Sequence, residues 1–524
     1  LAIVLTTKIF KRFGRSLFLF GVFGRRLCDM LAAARFRPRY GALRLLCLAV
    51  VFLVTPTLFA QQHLPVCDGT CDPTTPPDAP PPNGQIPVDR GRLFNQTGLG
   101  NAQSAATATG GAVTVQGSSS YTYAMPMFDV PGAGLDMKLA LYYNSHIWMP
   151  DASGGFMMGF DRNTPAPGFQ ANFGFVEWNV SANGPAGIIS TPDGAKHTLS
   201  INISNLVLDP VNNGYRCANT ICLYDSDDSS YINVSRPLGT FDGNVCLGPN
   251  NCPAKDITVT FKNGTVATYQ SFAVVTNDIF DEMVMRPYKI EDSNGNFMTI
   301  SYTNPNDLSI SSVTDSAGRT YNFFYTDAGS ASTCGGSGMC TTASLLNCIT
   351  DGASCTAPGA RTFSFTYDTT HSVLFNFTPN SAQILVAGNL QTVQSGFTMP
   401  VLTKVCRPDL TCVKFNYGDW GIVNDIQELS NDGHTVRHEL SYDFPASSAG
   451  ALTANPTYTH QTEIINGQTN QWTYANNTNA DGVVTSSVLT DPTGEITTTT
   501  FSNNGDWADG LPLQVQTTDS ASKV

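Results

Sequence analysis

The sequence predicts an all-β protein in which antiparallel hairpin repeats form a curled sheet or open shell. Three observations predict it. Charged residues make up only 13% of the chain, while Gly (46) and Pro (31) are abundant and aromatics reach 10%. Coiled coils and helical arrays need Ala, Glu, Lys and Leu in bulk, and wholesale disorder needs more charge and fewer aromatics. From about Gly111 onward, short runs of Val, Ile, Thr, Tyr and Phe alternate with Gly, Asn, Asp and Pro turns, and no window carries a long helical stripe. One hairpin pattern also recurs at fixed offsets.

The N-terminal segment 1–60 reads as a leader. From Met30, the arginines Arg35, Arg37, Arg39 and Arg44 precede an apolar run from Leu45 to Val54, followed by Pro56 and Ala60. Basic, apolar and small-residue zones in that order are a secretory signal, here residues 30–60 with cleavage after Ala60. The apolar run is shorter than the roughly 20 residues a spanning helix needs, so no membrane span is expected in the mature chain. Met30 is the expected initiator. Residues 61–110 form a Pro-rich spacer and extended segment, with Asp72 to Pro87 semi-rigid. A β-rich region follows over 111–270, and hairpin repeats over 271–524, where the sequence reads as truncated.

The repeats carry the strongest signal. Ile290-Glu-Asp292-Ser-Asn-Gly295 leads to Tyr302, and Val313-Thr-Asp315-Ser-Ala-Gly318 leads to Tyr325. A third copy has Asp491, Gly494 and Phe501. Asp bonds the backbone two residues on and starts the turn, and Gly accepts the positive φ that the reversal demands. A further segment, Val405 to Tyr417, keeps the register with Arg407 in the Asp place and Leu410 in the Gly place. There Cys406 and Cys412 hold the positions of Thr314 and Thr320, so a bridge could close that hairpin.

Of 14 cysteines, Cys28 and Cys47 fall in the leader, leaving 12 that group as sequence neighbours: Cys67/Cys71, Cys217/Cys222, Cys246/Cys252, Cys334/Cys340, Cys348/Cys355 and Cys406/Cys412. An even count in an exported chain favours local disulfides. The alternative, zinc, usually needs two knuckles acting together.

At these repeats the sequence resembles the rearrangement-hotspot (Rhs) or YD-repeat family, whose units read apolar-x-Asp-x-x-Gly and then Tyr. Gly134 to Met149 and Phe160 to Phe175 also resemble the region that precedes the repeats in large bacterial members. The resemblance implies a β-ribbon spiralling into a hollow, cocoon-like shell that often encloses a toxic C-terminal domain of the same polypeptide. Other members, similar to teneurins, use the shell for adhesion to surface glycan or protein. The family's self-cleaving aspartate motif is not recognisable here, so the resemblance assigns no catalytic residue.

Charge excludes a further class. The leader segment 1–60 holds ten of the 28 basic side chains and one of the 41 acidic ones, so the remainder carries 18 against 40, net −22. Nucleic acid needs a basic surface and is not an expected partner. Asp225, Asp227 and Asp228 are weak calcium candidates, without the glycine and distal Glu of an EF-hand. His434 and His438, four apart on one strand face, lack an evident third zinc ligand. Trp148, Trp178, Trp420 and Trp472 could stack on sugars if exposed, although strand aromatics are more often buried. No nucleophile elbow, paired-carboxylate cleft or His-Glu-x-x-His helix can be read, so neither catalysis nor a cofactor is expected. Three readings stay open: a non-catalytic shell segment around a downstream toxin, a surface adhesin, and a secreted glycan-active enzyme.

Overall fold

The computed structural model describes residues 111–115, 120–132, 134–150, 155–159, 165–179, 187–191, 196–202, 204, 206–209, 214–217, 221–226, 230–237, 256–277, 280–303, 309–327, 344–378, 380–386, 389–453, 455–478, 484–502 and 512–518. The described residues are almost wholly β-strand and turn, with a 3-10 turn at Ser447–Ala449. The expected all-β class is what the chain adopts.

Eight of the described strands close a ring. Phe175–Asn179, Gly187–Ser190, Lys196–Ile201, Ile221–Ser226, Asn233–Pro237, Ile257–Thr260, Val266–Asn277 and Phe280–Glu291 pair antiparallel in succession. Pairing of Met285 with Val176 and of Glu282 with Asn179 closes the circle. Closure removes free edges, the standing hazard of a sheet.

The strand Phe280–Glu291 is 12 residues long and divides one edge between two neighbours. Residues 282–285 face Phe175–Asn179, whereas residues 289–291 pair with Phe297–Tyr302. From there the ring gives way to a ribbon of consecutive antiparallel hairpins that runs to Pro512–Thr518. One skip occurs: Thr362–Val373 pairs with Phe397–Cys406. The intervening Ala382–Val386 and Asn389–Val393 instead join Trp148–Pro150 and Phe156–Gly159 in a separate four-stranded sheet, with one parallel contact.

Period-two side-chain alternation decides which face of the ribbon is apolar. Phe297–Tyr302 alternates exposed and buried, as do Phe363, Ser364, Phe365 and Thr366. Burying each such Phe contributes roughly 1.5–3 kcal/mol. A third sheet, of Gly111–Val115, Ser120–Val130, Met137–Asn144 and Phe169–Gln170, covers part of this apolar face and is called here the inner sheet. Phe128 stacks on Tyr321 with centroids 4.2 Å apart, and Tyr121 stacks on Tyr442 at 3.7 Å. The Tyr121 hydroxyl donates to the Val423 carbonyl (2.5 Å), while the Val423 amide donates to the Tyr143 hydroxyl (2.8 Å). Two tyrosines of the inner sheet thus grip a single ribbon residue.

A second core gathers Trp148, Phe156, Phe375, Phe377, Met399 and Trp420. Trp148 is 0% and Trp420 1% exposed. Their ring nitrogens donate to the carbonyls of Trp420 and Pro445. These two tryptophans therefore anchor the fold and offer no face to a sugar.

Candidate functional site

The feature that recurs along the ribbon is a three-part unit: an aspartate turn, a left-handed residue and a bulged aromatic. In the turn, one carboxylate oxygen accepts two backbone amides. Asp292 Oδ1 takes those of Asn294 (2.8 Å) and Asn296 (2.9 Å), Asp315 Oδ1 those of Ala317 (3.0 Å) and Arg319 (2.9 Å), and Asp491 Oδ1 those of Thr493 and Glu495 (both 2.8 Å). These bonds favour the ionised carboxyl. All three groups sit below the usual carboxylate range: Asp292 chiefly through the Asn296 side chain, Asp491 through that of Thr493. At Asp315 burial pushes upward, yet the hydrogen bonds and charge of Arg319 outweigh it.

The second part is positional. Gly295, Gly318 and Gly494 have φ of 84°, 80° and 86°, and each amide donates back to the carbonyl of its turn aspartate. A Cβ at Gly318 would meet nothing within 4 Å, so backbone conformation alone demands glycine there.

The third part shapes the ribbon. The pairing register shifts between Ser301 and Tyr302, between Phe324 and Tyr325, and between Thr500 and Phe501. The unit's aromatic thus lies at a β-bulge against the next strand. A bulge bends its strand and increases local twist. The hydroxyl then reaches 15 residues back to the outgoing strand, from Tyr302 to the Pro287 carbonyl (2.5 Å) and from Tyr325 to that of Ile310 (2.9 Å).

The Arg407 segment keeps the same shape with other residues. The Arg407 carbonyl accepts the Leu410 amide (2.9 Å), Leu410 is left-handed at φ 69°, and Tyr417 follows a bulge after Asn416. The Tyr417 hydroxyl donates to the Leu402 carbonyl (2.7 Å), at the same offset as in the Tyr302 and Tyr325 units. Asp409, two positions along, supplies the missing carboxylate by accepting the Thr411 amide (3.0 Å). Cys406 and Cys412 face each other across the hairpin and are joined, in the place where the Thr314 and Thr320 hydroxyls meet at 2.9 Å.

A fifth unit escaped sequence reasoning. Asp351 Oδ1 accepts the Arg361 amide (2.7 Å), and Arg361 Nε donates to Asp351 Oδ2 (2.8 Å), as Arg319 Nε does to Asp315 (2.7 Å). Tyr367 lies at a bulge after Thr366 and donates to the Leu346 carbonyl (3.0 Å). The interval from Asp351 to Tyr367 is longer than that from Asp292 to Tyr302, because the turn between them is enlarged. The disulfide Cys348–Cys355 ties the start of this longer turn to its parent strand. The words Ile349-Thr-Asp351 and Phe365-Thr-Tyr367 were the available signal.

Burial raises the hydroxyls of Tyr302, Tyr367 and Tyr417 far above the usual phenol range, so they remain donors at any physiological pH. These tyrosines also interact electrostatically: Tyr269 and Tyr325 push Tyr302 up further, Tyr325 does so for Tyr367, and Tyr143 and Tyr367 for Tyr417. The inner sheet docks on the turns themselves: Arg319 donates to the Pro131 carbonyl (2.8 Å), and Gly134 lies so close to Asp292 that a Cβ would sit 2.3 Å from its carboxylate.

The remaining sequence candidates are dispersed. Asp225 accepts a bond from Asn202 Nδ2 (2.7 Å) on a neighbouring segment. Asp227 and Asp228 lie outside the described residues, as do Cys67, Cys71, Cys246, Cys252, Cys334 and Cys340, the leader and the spacer. Cys222 is disulfide-bonded, and the side chain of Cys217 is outside the description. His434 and His438 do not share a strand face. His434 belongs to the turn, its amide donating to Asp432, and the strand begins only at Val436. Among the described residues no group of three or more His, Cys, Asp or Glu could hold a metal ion. No described helix is long and apolar enough to cross a membrane.

No family model and no curated protein matches the chain. Among solved structures, that of TcdB2-TccC3 aligns over 80% of this chain and 20% of its own at 10% identity, with a TM-score of 0.29. The N-terminal domain of effector protein SpvB from Salmonella typhimurium strain LT2 aligns over 65% of this chain and 98% of its own (11% identity, TM-score 0.24). A porin-like protein from Bacteroides uniformis aligns over 56% and 90% (13% identity, TM-score 0.18). The chain spans about a fifth of the TcdB2-TccC3 chain. These are distant likenesses of β-architecture.

Proposed function

We propose that this chain is an exported, non-catalytic wall segment of a hollow β-shell of the Rhs/YD-repeat kind, which encloses or presents a C-terminal domain of the same polypeptide, such as a toxin. The observation that carries the reading is the recurring unit. In five places a turn, a bulged aromatic and, in four of them, a tyrosine-to-carbonyl bond 15 or 21 residues back are set in one ribbon. Bulges repeated at one position in the hairpin bend the ribbon the same way each time. Their chemistry supports geometry: the aspartates are consumed by backbone amides and the tyrosines by carbonyls. The surface-adhesin reading loses Trp148 and Trp420 as exposed sugar platforms.

The test is electron cryomicroscopy of the full-length secreted product together with hydrolase assays on it. A hollow cage with residues 297–518 in its wall, and an interior filled by another domain, supports the proposal. Glycosidase or peptidase turnover that maps to side chains of residues 111–524 overturns it.

A further inference from the structure

His438 lies on the apolar side of the ribbon in Val436–Tyr442, the side it shares with buried Leu440 and Tyr442. Strands on both flanks present it with a carboxylate. Its Nε2 is 2.9 Å from Glu463 Oε1, in His460–Ile465, and its Nδ1 is 3.8 Å from Glu428 Oε2, in Val423–Leu429. The other oxygen of Glu428 accepts the hydroxyl of Tyr123 at 3.2 Å, and Tyr123 belongs to the inner sheet, where it is 2% exposed and edge-on to Phe415. One imidazole, two ribbon carboxylates and one inner-sheet phenol therefore form a continuous chain.

We infer that Glu463, His438, Glu428 and Tyr123 form a pH-sensitive clasp that holds the inner sheet on the ribbon while His438 is protonated. Imidazolium donates from Nε2 to Glu463 and holds Glu428 as an ion pair through Nδ1, whereas neutral imidazole has one donor and no charge. On deprotonation one carboxylate loses its partner, and two like charges face each other across the ring. Glu428 is the more exposed of the two and turns to water, leaving the buried Tyr123 hydroxyl without its acceptor. The other charged or titratable groups here are Arg407, which acts on both Glu428 and Tyr123, and Tyr442, which faces Glu463. Arg437 and Glu439 alternate to the opposite side of the strand.

The directions agree. Glu428, opposed by burial and helped by Glu463, raises His438 above its ordinary value, and His438 in turn lowers Glu428. A raised histidine contributes fully below about pH 6.5 and its contribution disappears as pH rises through the folded value. This inference stands apart from the wall proposal, since it concerns only how two sheets of the chain are held together.

Hydrogen exchange on the full chain between pH 5.5 and 8.5, corrected for intrinsic rates, reads the clasp directly. Protection of the amides in Ser120–Val130 should fall several-fold as pH rises across that range, while the strand Ile257–Thr260, which pairs with neither the inner sheet nor the clasp strands, stays unchanged. His438→Gln should abolish the pH dependence. Glu463→Gln, which keeps the ring and the Tyr123 contact, should move its midpoint to lower pH. Wild-type protection independent of pH, or a midpoint unmoved by Glu463→Gln, overturns the inference.

Discussion

Replacing Tyr417 by Phe removes one oxygen from a buried site and leaves the ring to pack as before. That oxygen donates to the Leu402 carbonyl at 2.7 Å, and Leu402 is 0% exposed, so water has no ready access to the orphaned acceptor. A net hydrogen bond contributes roughly 1 kcal/mol, and a buried acceptor left unpaired costs about 1–3 kcal/mol. The expected loss is about 2 kcal/mol. For a cooperative unit of roughly 400 residues, unfolding entropy makes this a drop of about 2–3 °C in Tm, measurable by calorimetry and by urea titration. Tyr302→Phe should behave alike through Pro287. The reverse change supplies the control: Phe501 occupies the same place without a hydroxyl, and Ser486 stands where Leu402 and Pro287 stand in the other units. Phe501→Tyr should therefore be neutral to stabilising by about 1 kcal/mol. If Tyr417→Phe and Tyr302→Phe are both neutral, or Phe501→Tyr destabilises by more than about 1 kcal/mol, the back-bond is not what fixes the aromatic.

Gly318→Ala meets no atom and should still cost about 1 kcal/mol through its φ of 80°, whereas Leu410→Gly, at φ 69°, should gain a similar amount; chemical denaturation midpoints distinguish the two signs. Asp315→Asn loses the charge that pairs with the partly exposed Arg319, at about 1 kcal/mol after solvent screening. Because the folded carboxyl is held below its ordinary value, that loss is present above about pH 4 and fades as pH falls through the folded value, so wild type and variant should converge in acid. Reduction of Cys406–Cys412 releases a short loop, worth about 2 kcal/mol in chain entropy, and should raise hydrogen exchange first in Cys412–Tyr417.

The β class and the repeat were legible because both rest on local chemistry. An aspartate followed three positions later by glycine fixes a turn without help from distant residues, and alternation along Phe363, Phe365 and Tyr367 fixes the buried face. The bulges were not legible: a register shift belongs to the neighbouring strand as much as to its own. The Asp351 unit was hidden by its longer turn, which carries the aromatic further along the chain. The ring depends on Val176 meeting Met285, a contact between segments far apart in sequence that no local pattern encodes. Likewise, His438 gained its two carboxylates from strands that only the fold brings alongside. Burial of Trp148 and Trp420 agrees with the general tendency of strand aromatics, but the partners that enclose them, Phe156, Phe375, Phe377 and Met399, come from separate segments that no local pattern links.

The central claim is that the bulged aromatic unit curves the ribbon into a wall. An experimental density map of the secreted full-length protein, at a resolution that shows strand register, tests it most directly. The account predicts a register shift immediately before Tyr302, Tyr325, Tyr367, Tyr417 and Phe501, with the strands curving in one sense around an enclosed volume. A regular ladder through those five positions, or a flat ribbon that encloses nothing, would contradict it.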